Sequence, residues 1–181
     1  MTITAFDLSL TATGYAQSID SAIEFGTIIS KLKGMPRLED IRSKCLAKAY
    51  PAKKNSKDKS DLVIFEDLAF AAHDRNHERA GLATLIRHSL WKEKIPYVLA
   101  APTSLKKFIS GSGKAEKSLM MLEVYKRFNL TPKNDNEADA IGLLYLGLML
   151  SGQLGTQNKA QEEVLATVRK NNAEALKEAG L

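Results

Sequence analysis

The chain has 181 residues, 44% of them hydrophobic, which is enough for one α/β domain with a real core and too few for two ordinary domains. Twenty-six Lys and Arg against 21 Asp and Glu give a formal charge of +5 and a pI near 9.2, a balance that suits a polyanionic partner but is shared by many soluble proteins. A lone cysteine, Cys45, excludes an intramolecular disulfide and a cysteine-based zinc site. It suits a reducing cytosol. The opening MTITAFDLSL has no basic start or apolar signal region, and the longest apolar run, Ala140 to Leu150, is well short of the roughly 20 residues that span a bilayer. A cytoplasmic protein without a membrane partner is expected.

Ile3 to Leu8 and Thr13 to Ile19 read as strands separated by a short Ser/Thr segment, and Glu24 to Ser30 as a third strand, so the chain is expected to open with an antiparallel meander. Pro36 introduces a helix over Arg37 to Tyr50 with Leu38, Ile41, Cys45 and Leu46 on one face. Pro51 to Asp61 (PAKKNSKDKSD) has no apolar periodicity and reads as a basic loop, either solvated or in contact with phosphate. Leu62 to Phe65 is a short apolar run ending at Glu66, as in a buried central strand. A helix over Arg79 to Lys94 follows, with Ala80, Leu82, Leu85, Ile86 and Leu90 apolar, and then a strand over Pro96 to Ala100. Helices over Ser104 to Phe108 and Ala115 to Phe128 flank the turn Gly111-Ser-Gly113, and Asn136 to Leu150 is a strongly apolar helix. A charged amphipathic helix from Lys159 to Gly180 closes the chain, with Val164, Leu165, Val168 and Leu176 apolar. The order implies an α/β fold with a mixed five-stranded sheet flanked by helices, the RNase H-like layout. A nuclease unit over 1–155 with a helical extension over 156–181 is the expected division.

Three acids from distant segments each stand where an acid is expensive. Asp7 lies in the first strand between apolar neighbours, Glu66 ends the fourth strand, and Asp139 falls early in the most apolar helix. Any one of them could be a cap or an ion-pair partner; the helix dipole alone would accommodate Asp139. A divalent cation accounts for all three, because it cancels the mutual repulsion of clustered carboxylates. Oxygen-only ligands favour Mg²⁺ or Mn²⁺ over zinc, and two such ions can activate water and stabilise the leaving oxygen of a phosphodiester. His73 and His77 stand four residues apart near Glu78, but no HExxH pattern exists, so they read as solvated or close to DNA rather than as zinc ligands.

These segments resemble the RuvC-like Holliday-junction resolvases. FDLSLTATGYA is similar to the family's first-strand motif, VIFEDLAF to its fourth-strand motif and NEADAIGL to its last catalytic helix, while LKKFISGSGKAEKS is similar to its lysine-bearing segment. The motifs fall in family order and cover about residues 3 to 150. The resemblance implies that Asp7, Glu66 and Asp139 match three of four metal-binding acids and are catalytic, with two Mg²⁺ per site and Mn²⁺ as a substitute. The fourth position is a departure, because it holds Asn136. Three readings of it compete: ligation through the amide oxygen, replacement by Asp135 or Glu137, or an Asp→Asn change that traps an inactive protein. On a helix Asp135 lies about 40° from Asp139 and Glu137 about 160° away, which favours Asp135 among the substitutes.

By the same resemblance Lys106 and Lys117 match two lysines near the scissile phosphate, with Lys107 adjacent to the first and able to exchange roles with it. Lys117, on the first turns of a helix, would stabilise developing charge. Phe70 matches an aromatic that inserts at the junction centre, where stacking is worth roughly 1–3 kcal/mol per base. Lys114, Arg75, Arg79 and the basic stretch Lys53 to Lys59 would contact phosphates. Two symmetric cuts in a four-way junction call for two active sites, so a C2 homodimer is implied, with the Arg79–Lys94 helix as interface element unless its apolar positions all face its own core. A phage or mobile-element version fits the changed fourth acid and the compact length. The competing readings are cleavage of other branched or hybrid substrates, an actin-like or sugar-kinase ATPase, and a junction protein that binds without cutting. The ATPase reading rests on DLSLTATG and lacks a second domain and a second phosphate hairpin.

Overall fold

The computed structural model describes residues 1–50, 59–67 and 77–181. Strands β1 (Ile3–Asp7), β2 (Thr13–Ile19) and β3 (Ala22–Ile28) form the antiparallel meander, and β4 (Leu62–Glu66) and β5 (Tyr97–Ala100) add in parallel on the far side of β1. The five-stranded order is β3-β2-β1-β4-β5. The third strand begins two residues before its expected start at Glu24. Asp20 and Ser21 both adopt left-handed backbone, closing a two-residue hairpin whose twist matches the strands, so pairing resumes at once at Ala22.

Side-chain alternation divides the strands between two cores. Phe6, Val63 and Phe65 face helices α1 (Gly34–Ala49) and α2 (His77–Lys92), whose Leu38, Ile41, Cys45, Leu82, Ala83, Ile86 and Leu90 are buried against them. Ala80, expected on the apolar face of α2, is exposed. That helix stops at Lys92 rather than Lys94, because Lys94 turns left-handed and the Lys94 and Ile95 amides bond back to Trp91 and Leu90, a Schellman closure. Lys59 donates to the carbonyls of Glu93 and Lys94 at the same helix end.

Ile3, Ala5, Leu62, Ile64, Val98 and Ala100 face the other way, toward α3 (Pro102–Ser110), α4 (Lys117–Phe128), α5 (Asp135–Leu150) and α6 (Lys159–Asn171). Helix α5 is buried nearly all round, packed between the sheet and the outer helices. Its Gly147 lets it sit close to the strands, where a Cβ would meet the Ile64 side chain at 2.4 Å.

The tail is two helices, α6 and the short α7 (Ala173–Glu178), in place of one from Lys159 to Gly180. The break is at Asn172. Its Oδ1 accepts from the Leu99 amide and its Nδ2 donates to the Leu99 carbonyl, both at 3.0 Å, so one side chain satisfies the open edge of β5 in place of a sixth strand. Val164, Leu165, Val168 and Leu176 join the same core as the sheet. Among the described residues no helix is long and apolar enough to cross a membrane.

Candidate active site

The period of the strands places the first two acids. Ile3 and Ala5 face α5, so Asp7 does too; Leu62 and Ile64 face α5, so Glu66 does too. Because β1 and β4 are parallel with Phe6 opposite Phe65, Asp7 and Glu66 come next in register on neighbouring strands about 4.8 Å apart. Asp7 is 6% exposed and paired across the hairpin with Gly14. Both strands end at these acids, at the rim of the sheet where α5 crosses.

Asp139 lies half-buried in the second turn of α5. Its charge reaches Glu66. Burial first, and then the charges of Asp7 and Asp139, push the Glu66 carboxyl up to about 8, against opposing pulls from Arg79 and Lys106. Three carboxyl groups from β1, β4 and α5 therefore share one electrostatic environment. Among the described residues no three acids, histidines or cysteines stand at ligand spacing, so the acids share a field rather than a preformed cage. The chemistry of this donor set nonetheless fits a hard divalent cation: oxygen donors only, with repulsion that a cation would cancel.

The start of α5 sorts the candidates for the fourth position. The helix does extend back to Asp135, its first residue, which is half-buried. Glu137 is committed elsewhere. It is 4% exposed, and its carboxylate accepts from the Thr27 hydroxyl at 2.8 Å and the Lys133 amide at 2.8 Å, while its own amide donates to the N-cap Asn134. This is a variant of the capping box, so Glu137 drops out as a substitute ligand. Asn136 donates its Nδ2 to the Ala12 carbonyl at 2.6 Å, on the turn between β1 and β2.

Of the basic residues, Lys106 on α3 acts on Glu66, whereas its neighbour Lys107 is paired with Glu163 of α6 at 2.6 Å. The two lysines thus differ: the charge of Lys106 is felt at Glu66, and that of Lys107 is met by Glu163. Lys114 is exposed in the turn before α4, and Lys117 is the first residue of α4. Arg79, expected at phosphate, donates its Nε to the Leu8 carbonyl at 3.0 Å and brings a terminal nitrogen within 4.0 Å of Glu66. Arg79 is thus a cation braced against the end of β1, a role that its place on the first turn of α2 permits but the sequence does not announce. Phe70, Arg75 and His73, together with Lys53, Lys54 and Lys57, lie outside the described residues.

No family model matches the chain. A crossover junction endodeoxyribonuclease RuvC of Cutibacterium acnes is 36% identical over 101 residues, 51% of this chain and 48% of that protein, so the chain spans about half the length of the curated relative it matches. Among solved structures, Thermus thermophilus RuvC superposes with a TM-score of 0.63 at 17% identity, covering 84% of this chain and 97% of that one. The same T. thermophilus protein in complex with a Holliday junction substrate gives 0.63 at 17% identity over 80% and 90%. With this sheet order and these flanking helices, the chain has the RNase H-like fold of RuvC.

Proposed function

We propose that the chain is a Mg²⁺-dependent DNA endonuclease that resolves four-way junctions by paired symmetric nicks, working as a homodimer in the cytoplasm during recombination, repair or phage DNA processing. The observation that carries this reading is the convergence of Asp7, Glu66 and Asp139 on one face of the sheet rim, with Glu66 held in the field of the other two. The named relative of C. acnes supports the class of reaction, and the junction-bound T. thermophilus structure supports the substrate.

Asp7, Glu66 and Asp139 would hold the cations, with Asp135 or the Asn136 amide oxygen completing the set. Mg²⁺ there would supply Lewis acidity toward the phosphodiester and a more acidic water, with Mn²⁺ able to substitute. Lys106, already in the field of Glu66, would meet the negative charge that builds on the phosphate, and Lys117 would do so from the first turn of α4. Phe70 would stack at the junction centre, and Lys114, Lys107, Arg75 and Arg79 would steer phosphates. Arg79, held on the Leu8 carbonyl, would serve DNA only from its outer edge. The dimer would use the outer side of α2, whose inner residues are spent on the chain's own core and whose Trp91 is 69% exposed. A phage or mobile-element origin is proposed from the changed fourth acid.

The test is a labelled immobile four-way junction beside a flap and a linear duplex, with Mg²⁺, Mn²⁺ or EDTA, and light scattering for the oligomer. Paired nicks on the junction, abolished by EDTA, are expected. Junction binding without nicks in either metal would replace the reading with a binding protein, and no preference for branched DNA would sink it.

A further inference from the structure

Helix α5 carries Asp139, and its first turn is fixed to the meander at three points. Glu137 and Asn134 both reach Thr27 of β3, at 2.8 and 3.1 Å. Gly14 of β2, the cross-strand partner of Asp7, lies in backbone contact with the helix: a Cβ there would fall 2.0 Å from the Asn136 carbonyl oxygen and 2.4 Å from its carbon. The third point is the 2.6 Å bond from the Asn136 side chain to the Ala12 carbonyl. A carbonyl oxygen can only accept, so the amide orientation is fixed with its NH₂ toward Ala12 and its oxygen diverging from it. An aspartate at 136 has no donor at neutral pH. It would set a carboxylate oxygen against the Ala12 carbonyl and convert a tie into a repulsion.

We propose that Asn136 is a positioning residue, tying the first turn of α5 to the turn between β1 and β2 so that Asp139 is held in register with Asp7 and Glu66, and that a carboxylate at this position cannot replace it. The proposal rests on the nuclease reading for its meaning. Asn136 is then neither a damaged ligand nor a trapped-state substitution: its Nδ2 is spent on geometry, and the site works with a carboxamide where a carboxylate would break the tie.

Two simpler ideas make the opposite forecast. Added charge alone would make Asn136→Asp bind a divalent cation more tightly, and the helix dipole alone would make it more stable. The tie forecasts both effects with reversed sign. The experiment measures thermal unfolding in EDTA and Mn²⁺ binding, by calorimetry and by electron paramagnetic resonance of free Mn²⁺ well below the melting temperature, for the wild type, Asn136→Asp and Asn136→Ala. Asn136→Asp is expected to lower Tm by about 3–8 °C and to weaken Mn²⁺ binding about tenfold or more. Asn136→Ala should lose both in the same direction by less, and it keeps the comparison available should the aspartate variant not fold. Tighter Mn²⁺ binding with unchanged Tm in Asn136→Asp would overturn the proposal and restore Asn136 as a displaced ligand. A lower Tm with unchanged Mn²⁺ affinity would reduce it to packing and also overturn it. Absence of Mn²⁺ uptake by the wild type would sink it whatever the junction assay gives. Wild type that binds Mn²⁺ but ignores junction DNA would instead sink the nuclease reading, leaving the Asn136 result to stand on binding alone.

Discussion

On the α1–α2 side of the sheet, Phe6 stacks on Phe65 at 5.7 Å, and the buried polar residues that share these strand faces, Thr4 and Gln17, are uncharged. On the α5 side the same strands present Ile3, Ala5, Leu62 and Ile64, and then at their last positions Asp7 and Glu66. Both sides obey one alternation, but one fills its rim with Leu8 and the other with acid. Charge is admitted to the sheet only where strand pairing ends and a helix start lies across the gap. There, amides, water or a cation can meet it, and a few residues further in the cost of burial would be prohibitive.

The sharpest way to separate the two sides is to disarm one without unfolding it. Asp7→Asn is expected to reduce junction cleavage about a thousandfold or more while leaving Tm unchanged or higher, read by single-turnover nicking beside a melting curve. Next in size is a cut into the opposite side. Phe65→Ala should destabilise the fold by about 3–5 kcal/mol, seen as a lower denaturant midpoint with normal Mn²⁺ affinity in the fraction that remains folded. A loss of stability in the first case, or of metal binding in the second, would show that the sides are coupled.

A third expectation concerns pH. Glu66 is pushed up to about 8 by burial and by Asp7 and Asp139, whereas in the unfolded chain it titrates near the usual 4.5. Between those values the folded state keeps a proton that the unfolded state has lost, so metal-free stability should fall as pH rises through this window, by on the order of 3 kcal/mol. Unfolding in EDTA from pH 4.5 to 8 measures it; Glu66→Gln should flatten the curve and Mg²⁺ should oppose the fall. The smallest effect is expected at the edge of β5. Asn172→Ala should cost about 1–2 kcal/mol and speed hydrogen exchange at the Leu99 amide, with cleavage intact.

What the sequence disclosed follows from what is local. Short strand-like runs and an apolar helix are properties of consecutive residues, so ITAFD, LVIFE, the acids that end them and the apolar α5 are legible in the sequence. That both acids share one face follows only from the parallel register of β1 and β4. The residues that tune the site act across long separations in the chain. Arg79 bonds Leu8, Asn136 bonds Ala12, Glu137 bonds Thr27 and Asn172 bonds Leu99. Each is a polar side chain on or beside a helix whose distant partner nothing in its own stretch of sequence announces. In Glu137 the sequence shows the acidity but not the capping bonds that occupy it. The tail reads as one helix in sequence because nothing in NNAEAL announces that its second Asn belongs to a strand edge.

That Asn172 bond has a consequence in time. Leu99 and Asn172 are 73 residues apart, and the sheet's last ladder position is completed by the later of them. During synthesis at about 5–20 residues per second, β5 is made and able to pair with β4 seconds before its seal emerges. A nascent chain stalled or cut before residue 172 would carry a bare parallel edge next to the exposed Trp91, which is the kind of surface that chaperones bind and that other nascent chains pair with.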